Sequence, residues 1–156
     1  MMIKSQSEKQ TQKIAGSLVQ KIIKTKLGKN AIVIALEGEL GAGKTTFVKG
    51  FAKALGIKSH ITSPTFVILK KFQIPRFAKA SARRANSRFQ ILFHIDAYRL
   101  HNHRDLITLG IKEIIADPAN IVLIEWAERV KKILPKKYIG VHIDHINEHT
   151  RKINIQ

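Results

Sequence analysis

Ala31-Ile32-Val33-Ile34-Ala35-Leu36 is a continuous apolar run rich in β-branched residues, and it opens almost directly onto Gly38-Glu39-Leu40-Gly41-Ala42-Gly43-Lys44-Thr45. A run of that kind has no polar face to offer water. It reads as a strand covered on both sides, as in a parallel sheet. The stretch that follows matches G-x-x-x-x-G-K-[ST]. Its glycines let the chain curl so that successive N–H groups point at one phosphate, and the helix starting there adds its positive end. Lys44 would reach the β- and γ-phosphates of a nucleotide, and the Thr45 hydroxyl would ligate Mg²⁺. The pattern also occurs by chance, but a strand before it and a helix after it are the context it needs.

The other elements fit that start. Ser7 with Gln10 three residues on reads as a capping box. Behind it, Ile14, Leu18, Ile22 and Ala15, Val19, Ile23 recur at helical spacing, predicting an amphipathic helix that ends near Gly28. Thr45 to Leu55 is helical and stops at Gly56. Thr65 to Phe72, Ile91 to Ile95 and Ile121 to Ile124 read as strands, with short helices around Leu106, Ile114 and Glu128–Leu134. Tyr138 to Ile146 and Arg151 to Ile155 read as a terminal antiparallel pair turning at Asn147. Strands alternating with helices give an α/β class: a P-loop NTPase-like three-layer sandwich, mostly parallel, in one domain over residues 1–156.

Mg²⁺ chemistry on such a loop needs a carboxylate from a neighbouring strand end. Asp96 ends Ile91-Leu92-Phe93-His94-Ile95, and Glu125 ends Ile121-Val122-Leu123-Ile124. Both are placed at the carboxyl edge of the sheet, where open α/β folds bind ligands. Thr62, Ser63, Pro64 and Thr65 set hydroxyls around a fixed proline; they either contact a γ-phosphate or its metal, or cap a turn. Trp126, the sole tryptophan, either stacks on a base or partner or fills core. No second histidine stands at ligand spacing from His94, so it is read as no metal ligand and as facing away from Asp96. Asp144, in the terminal pair, is read as structural.

Charge narrows the class of partner. The chain has 156 residues and a formal net charge of +17. Residues 40–95 alone hold eleven Lys and Arg and no Asp or Glu. Such an excess points to a polyanion: nucleic acid, nucleotide or anionic membrane. There are no cysteines, which excludes a disulfide scaffold and thiolate zinc sites. Apolar runs are far shorter than the roughly 20 residues of a membrane span, and no signal-peptide core opens the chain, so no membrane role and a cytoplasmic location are expected.

Taken in order, the Gly38–Thr46 loop, Thr62-Ser63-Pro64-Thr65-Phe66, His94-Ile95-Asp96-Ala97-Tyr98-Arg99-Leu100, Leu109-Gly110-Ile111, Ile124-Glu125-Trp126-Ala127-Glu128 and Leu134-Pro135 resemble the TsaE family. The resemblance runs from about Thr11 to about Asp144. It implies a Mg²⁺-dependent ATPase of tRNA threonylcarbamoyladenosine biosynthesis that works with TsaD and TsaB and meets tRNA indirectly through them. Hydrolysis would reset that complex rather than modify tRNA. By position, Gly38, Glu39, Leu40, Gly41, Ala42, Gly43, Lys44, Thr45 and Thr46 would bind the ATP phosphates. Lys44, Asp96 and Glu125 would be catalytic. Thr45, Glu125 and Asp96 would serve the metal, and Thr62, Ser63, Pro64 and Thr65 would form a switch-like loop. Thr11, as the threonine before the first helix, would lie near the adenine, and Trp126 near the active site.

Two departures stand out. Ala97 replaces the family's usual leucine. The link from S-P-T-F to H-x-D is about fifteen residues longer here, within Gln73 to Arg88; it is basic, free of acids and aperiodic, and is read as a loop insertion. Two other functions compete. A small-molecule or nucleotide kinase would need a lid, which Arg83-Arg84 could imitate. A basic tRNA-binding protein without required turnover would explain the charge alone. No residue stands out as an arginine finger or dedicated base, so turnover is expected to be weak without partners.

Overall fold

The computed structural model describes residues 1–26, 28–76 and 88–156. The chain opens with β1 (Met2–Ser5), an element that the polar N-terminal sequence did not suggest. Helix α1 spans Glu8–Lys24, ending four residues before Gly28. The Ser7 hydroxyl caps it by accepting from Gln10 N, while the Gln10 side chain accepts from Gln6 N. The reciprocal cap is present, shifted outward by one residue.

The apolar run becomes β2 (Ile32–Glu37), the glycine-rich turn follows, and α2 covers Lys44–Ala54. Then come β3 (Leu69–Gln73), β4 (Ile91–Asp96), α3 (Arg104–Thr108), α4 (Ile111–Ala116) and β5 (Asn120–Glu125). A 3-10 segment at Ala127–Ile133 precedes the terminal pair β6 (Ile139–His145) and β7 (Arg151–Ile155).

These strands form one sheet in the order β1-β7-β6-β2-β5-β4-β3. Strands β6, β2, β5 and β4 run parallel, with β3 antiparallel on one edge and β7 on the other. β1 returns antiparallel to β7, so five of the seven strands point the same way. Side chains alternate across β2. Ile34 and Leu36 enter the core under α1 and α2 with Phe47 and Phe51, while Val33 and Ala35 enter the core under α3, α4 and the 3-10 segment. A strand buried on both faces is what the unbroken apolar run predicted.

Helices α1 and α2 meet closely. A Cβ added at Gly50 would stand 2.3 Å from the Gln12 Cα, so glycine is what allows the approach. The expected strand from Thr65 begins only at Leu69. Residues 65–67 form a turn instead, closed by Val67 N and Ile68 N donating to the Pro64 carbonyl at 3.0 and 2.6 Å. Turn hydrogen bonds outcompeted a weak alternation. The long basic link joins β3 and β4, which pair antiparallel from Gln73↔Ile91, so it connects a hairpin. Residues 77–87, including Arg83 and Arg84, lie outside the described part. At its far end Arg88 donates to the Ile22 and Ile23 carbonyls at 3.0 and 2.6 Å, satisfying the C-terminal end of α1.

Candidate functional site

Three parallel strands deliver their chemistry to one edge. β2 runs into the glycine loop, and the neighbouring ends of β4 and β5 place Asp96 opposite Glu125 in register. Gly38 has φ 139° and Gly43 has φ 105°, which L side chains rarely adopt. Gly38 is also a packing position, because a Cβ there would lie 2.3 Å from the Ile143 carbonyl oxygen of β6. Gly43 is the N-cap of α2 and uses no side chain for it, so the first N–H groups of the helix face the loop.

Lys44 is 4% exposed. Its Nζ donates to the Gly38 and Glu39 carbonyls at 2.6 and 2.8 Å and lies 3.8 Å from the centroid of the Trp126 ring. Burial holds this ammonium below the ordinary lysine range, opposed by the nearby charges of Glu125, Glu128 and Asp96. The Thr45 hydroxyl donates to the Glu125 carboxylate, with oxygens at 3.1 and 3.2 Å. His94 Nε2 meets the same carboxylate at 2.7 Å, through Oε1. Asp96 is held by three donors: the Ser63 hydroxyl at 2.6 Å, the Thr65 hydroxyl at 2.8 Å and Tyr98 N at 2.9 Å. Ser63 and Thr65 are themselves 2.7 Å apart, so two protons serve three oxygen–oxygen contacts. One carboxylate is thus tied to the start of α2 after the glycine-rich loop and the other to the 63–65 turn.

Lys44, Thr45, Ser63, Thr65, Asp96 and Glu125 line a cavity of about 390 Å³. Its aromatic wall depends on unusual backbone. Trp126 takes φ 58° and ψ 42°, a left-handed conformation that costs a non-glycine residue about 1–3 kcal/mol. That turn lays its ring on Lys44 and 4.9 Å from Tyr98, with the Arg129 guanidinium 5.3 and 5.8 Å from the two rings. Ile68 is also left-handed, at φ 65°, and its carbonyl accepts from Asp96 N at 2.9 Å. Backbone strain therefore sits on both flanks of the carboxylate pair.

The sequence model of the family described as "Threonylcarbamoyl adenosine biosynthesis protein TsaE" matches residues 5–153. The chain belongs to the TsaE family. It is 36% identical over 121 residues to the tRNA threonylcarbamoyladenosine biosynthesis protein TsaE of Bacillus subtilis, across 78% of this chain and 66% of that protein. Identity to the protein of that name from Treponema pallidum is 35%, covering 79% and 80% of the two chains. For Rickettsia typhi it is 32%, covering 96% and 90%. The crystal structure of Bacillus subtilis YdiB superposes with a TM-score of 0.71 at 27% identity, over 99% of this chain and 83% of that one.

The residues that the TsaE resemblance nominated fall into groups. Leu40, Gly41, Gly43, Lys44, Thr45, Thr46, Ser63, Thr65, Asp96, Glu125 and Trp126 all line the cavity. Glu39 and Gly38 contribute carbonyls to Lys44, and buried Ala42 offers its carbonyl to Arg151 Nε at 3.1 Å. Pro64 is buried and anchors the turn through its carbonyl. Thr62 does not join them; it is exposed, and its hydroxyl accepts from Lys70 Nζ at 2.6 Å. Thr11 lies inside α1, not before it, 3% exposed with its hydroxyl 2.8 Å from that of Ser5. It still borders a second hollow, of about 210 Å³, that Gly41, Gly43, Thr46 and Arg151 also line.

His94 corrects the sequence reading. Residues two apart in a strand share a face, so His94 points with Asp96, and it spends that position on Glu125. Tyr98 and Arg129 were missed as site residues. The Y-R following Asp96 was a signal for Tyr98, but only the left-handed turn at Trp126 brings Arg129 alongside. Asp144 pairs with His142 at 2.9 Å on the exposed side of β6, away from the cavity.

Proposed function

We propose that this TsaE-family chain binds Mg–ATP in the 390 Å³ cavity and hydrolyses it in the service of tRNA threonylcarbamoyladenosine formation. The observation that carries this reading is the register pairing of Asp96 with Glu125 at the strand edge beside the Thr45 hydroxyl. The donor set suits Mg²⁺. Among the described residues no three His, Cys, Asp or Glu are grouped to cage a metal unaided. A Mg²⁺ site that uses one or two carboxylates and completes itself with nucleotide phosphates needs no more. Thr45, Glu125 and Asp96 would hold the ion, which supplies charge neutralisation at the β- and γ-phosphates.

The chain's own residues do the remainder. Gly38 to Thr46 turn backbone N–H groups and the α2 terminus toward phosphate, and Lys44 adds a point charge of low desolvation cost to recruit, because it is already buried. His94 and Thr45 fix the Glu125 carboxylate between them. Ser63 and Thr65 hold Asp96, so a contact between either hydroxyl and the terminal phosphate would be felt at Asp96, as in switch segments of other NTPases. Residues 1–156 act as one ATPase unit, with 73–88 a basic loop insertion. The working partners are TsaD and TsaB, with tRNA reached through them, in the cytoplasm. Among the described residues no helix is long and apolar enough to cross a membrane.

The test is phosphate release from labelled ATP with and without the TsaD–TsaB pair, for the wild type and Lys44→Ala. We expect slow release alone, acceleration by the pair, and loss of both in the variant. Transfer of label to a small-molecule acceptor would establish a kinase instead. Unchanged release by Lys44→Ala would remove the site.

A further inference from the structure

Away from the nucleotide cavity, the end of α2 and the chain beyond it wall a groove of about 610 Å³ lined by Lys49, Lys53, Lys58 and His60, with Ile57 and Ile61 at its base. We infer that this groove binds the phosphodiester backbone of RNA directly. The choice of RNA among polyanions rests on the function proposed above; the location rests on the groove itself.

The groove is an uncompensated cationic site. No Asp or Glu occurs anywhere in residues 40–95. Lys49 and Lys53 stand one helical turn apart on α2, a spacing at which like charges repel by a few tenths of a kcal/mol. A helix normally relieves such a pair with an acid nearby, but α2 contains none. The three lysines are exposed, and none takes part in an ion pair among the described residues. A fixed row of phosphates would relieve that repulsion and release counterions.

The groove's apolar residues argue against a lipid surface. Ile57 and Ile61 are 8% and 5% exposed, so the site has no side chain to insert among acyl chains. The lining has no Phe, Tyr or Trp on which bases could stack. Recognition would therefore be of backbone, independent of sequence. The groove also adjoins the nucleotide site along the chain. Ile61 lines the groove and Ser63, two residues on, lines the other cavity, so bound RNA would lie near the turn that holds Asp96.

The experiment is unmodified tRNA binding across 50–200 mM salt, by fluorescence anisotropy with the full chain. Three phosphate contacts contribute about 2.1–2.7 to the log–log salt slope, which is a fall in affinity of roughly 20–40-fold over that range. The triple variant Lys49→Ala, Lys53→Ala, Lys58→Ala should lose that part of the slope. Lys53→Ala alone should lower the slope by about 0.7–0.9, roughly a third of that part, which serves if the triple variant folds poorly. A variant of equal charge on the other face of the sheet, Lys112→Ala with Lys132→Ala and Lys136→Ala, should keep most of it. Equal losses in the two triple variants, or none in the groove variant, would overturn the inference. So would binding to phosphatidylserine vesicles without binding to tRNA. ATP hydrolysis is assayed in parallel. Absent hydrolysis with intact RNA binding would defeat the proposed function and leave the groove standing, and the reverse outcome would do the opposite.

Discussion

His94 offers the sharpest check on the carboxylate arrangement. Its side chain is fully buried, Nε2 is 2.7 Å from Glu125 Oε1, and Nδ1 has no partner among the described residues. A buried unpaired N–H is costlier than a bare acceptor, so the ring holds its proton on Nε2 and donates it to the carboxylate. Replacing His94 by leucine keeps most of the volume and removes the donor. The Glu125 carboxylate, itself 2% exposed, then keeps only the Thr45 hydroxyl at 3.1–3.2 Å as a donor among the described residues. A hydrogen bond to a charged group contributes about 1.5–3 kcal/mol. For a chain of this size that lowers Tm by roughly 3–12 °C. The carboxylate also loses its fixed orientation, and removal of such a supporting partner weakens metal binding about 10–100-fold. Trp126, over which Lys44 rests, provides the fluorescence signal for titrations with ATP, with and without Mg²⁺. We expect His94→Leu to weaken the Mg²⁺ dependence by that factor and to leave Mg²⁺-free ATP binding unchanged. In His94→Gln the side-chain amide can replace Nε2, and most of the loss should be recovered. If leucine and glutamine behave alike, or if His94→Leu loses Tm but keeps its Mg²⁺ dependence, the positioning argument fails.

Other residues give separate tests. Burial holds Lys44 below about 10.5, so the folded chain binds fewer protons than the unfolded one just under that value; stability therefore rises with pH through that window. Lys44→Met should remove that increment, seen as a flatter change in urea midpoint between pH 8 and 10, together with the loss of ATP-induced change in Trp126 emission. Ser63→Ala with Thr65→Val strips two donors from Asp96; ATP turnover should fall at least tenfold while Mg²⁺-free ATP affinity holds, and unchanged turnover would argue that the turn is only structural. Gly50→Ala should destabilise the fold despite a helix-propensity gain of about 1 kcal/mol, because its Cβ would meet the Gln12 backbone; a raised Tm would show that α1 and α2 can move apart cheaply.

Much of the candidate site's layout was legible because it is local in sequence. An unbroken β-branched run, three glycines and a lysine specify strand, turn and helix within fifteen residues, and each acid at the end of an apolar run names its own position on the sheet edge. Ser63, Thr65, Asp96 and Glu125 could be nominated by that means, but not joined. The assignments that failed share a cause. β1 is four residues long and exists because β7 offers it an edge. Thr62 and Thr65 look equivalent in the sequence, yet turn hydrogen bonds to Pro64 aim one at Lys70 and the other at Asp96.

The sequence by itself determined the glycine-rich loop between strand and helix, the two candidate acids and the parallel α/β class, because backbone conformation and hydrophobic period are properties of neighbouring residues. The tertiary structure decided which hydroxyl holds which acid, that His94 supports Glu125, and that Trp126 lies under Lys44. Those outcomes depend on strand register and on two left-handed residues, Ile68 and Trp126, whose strain is sustained only by packing between segments far apart in the chain.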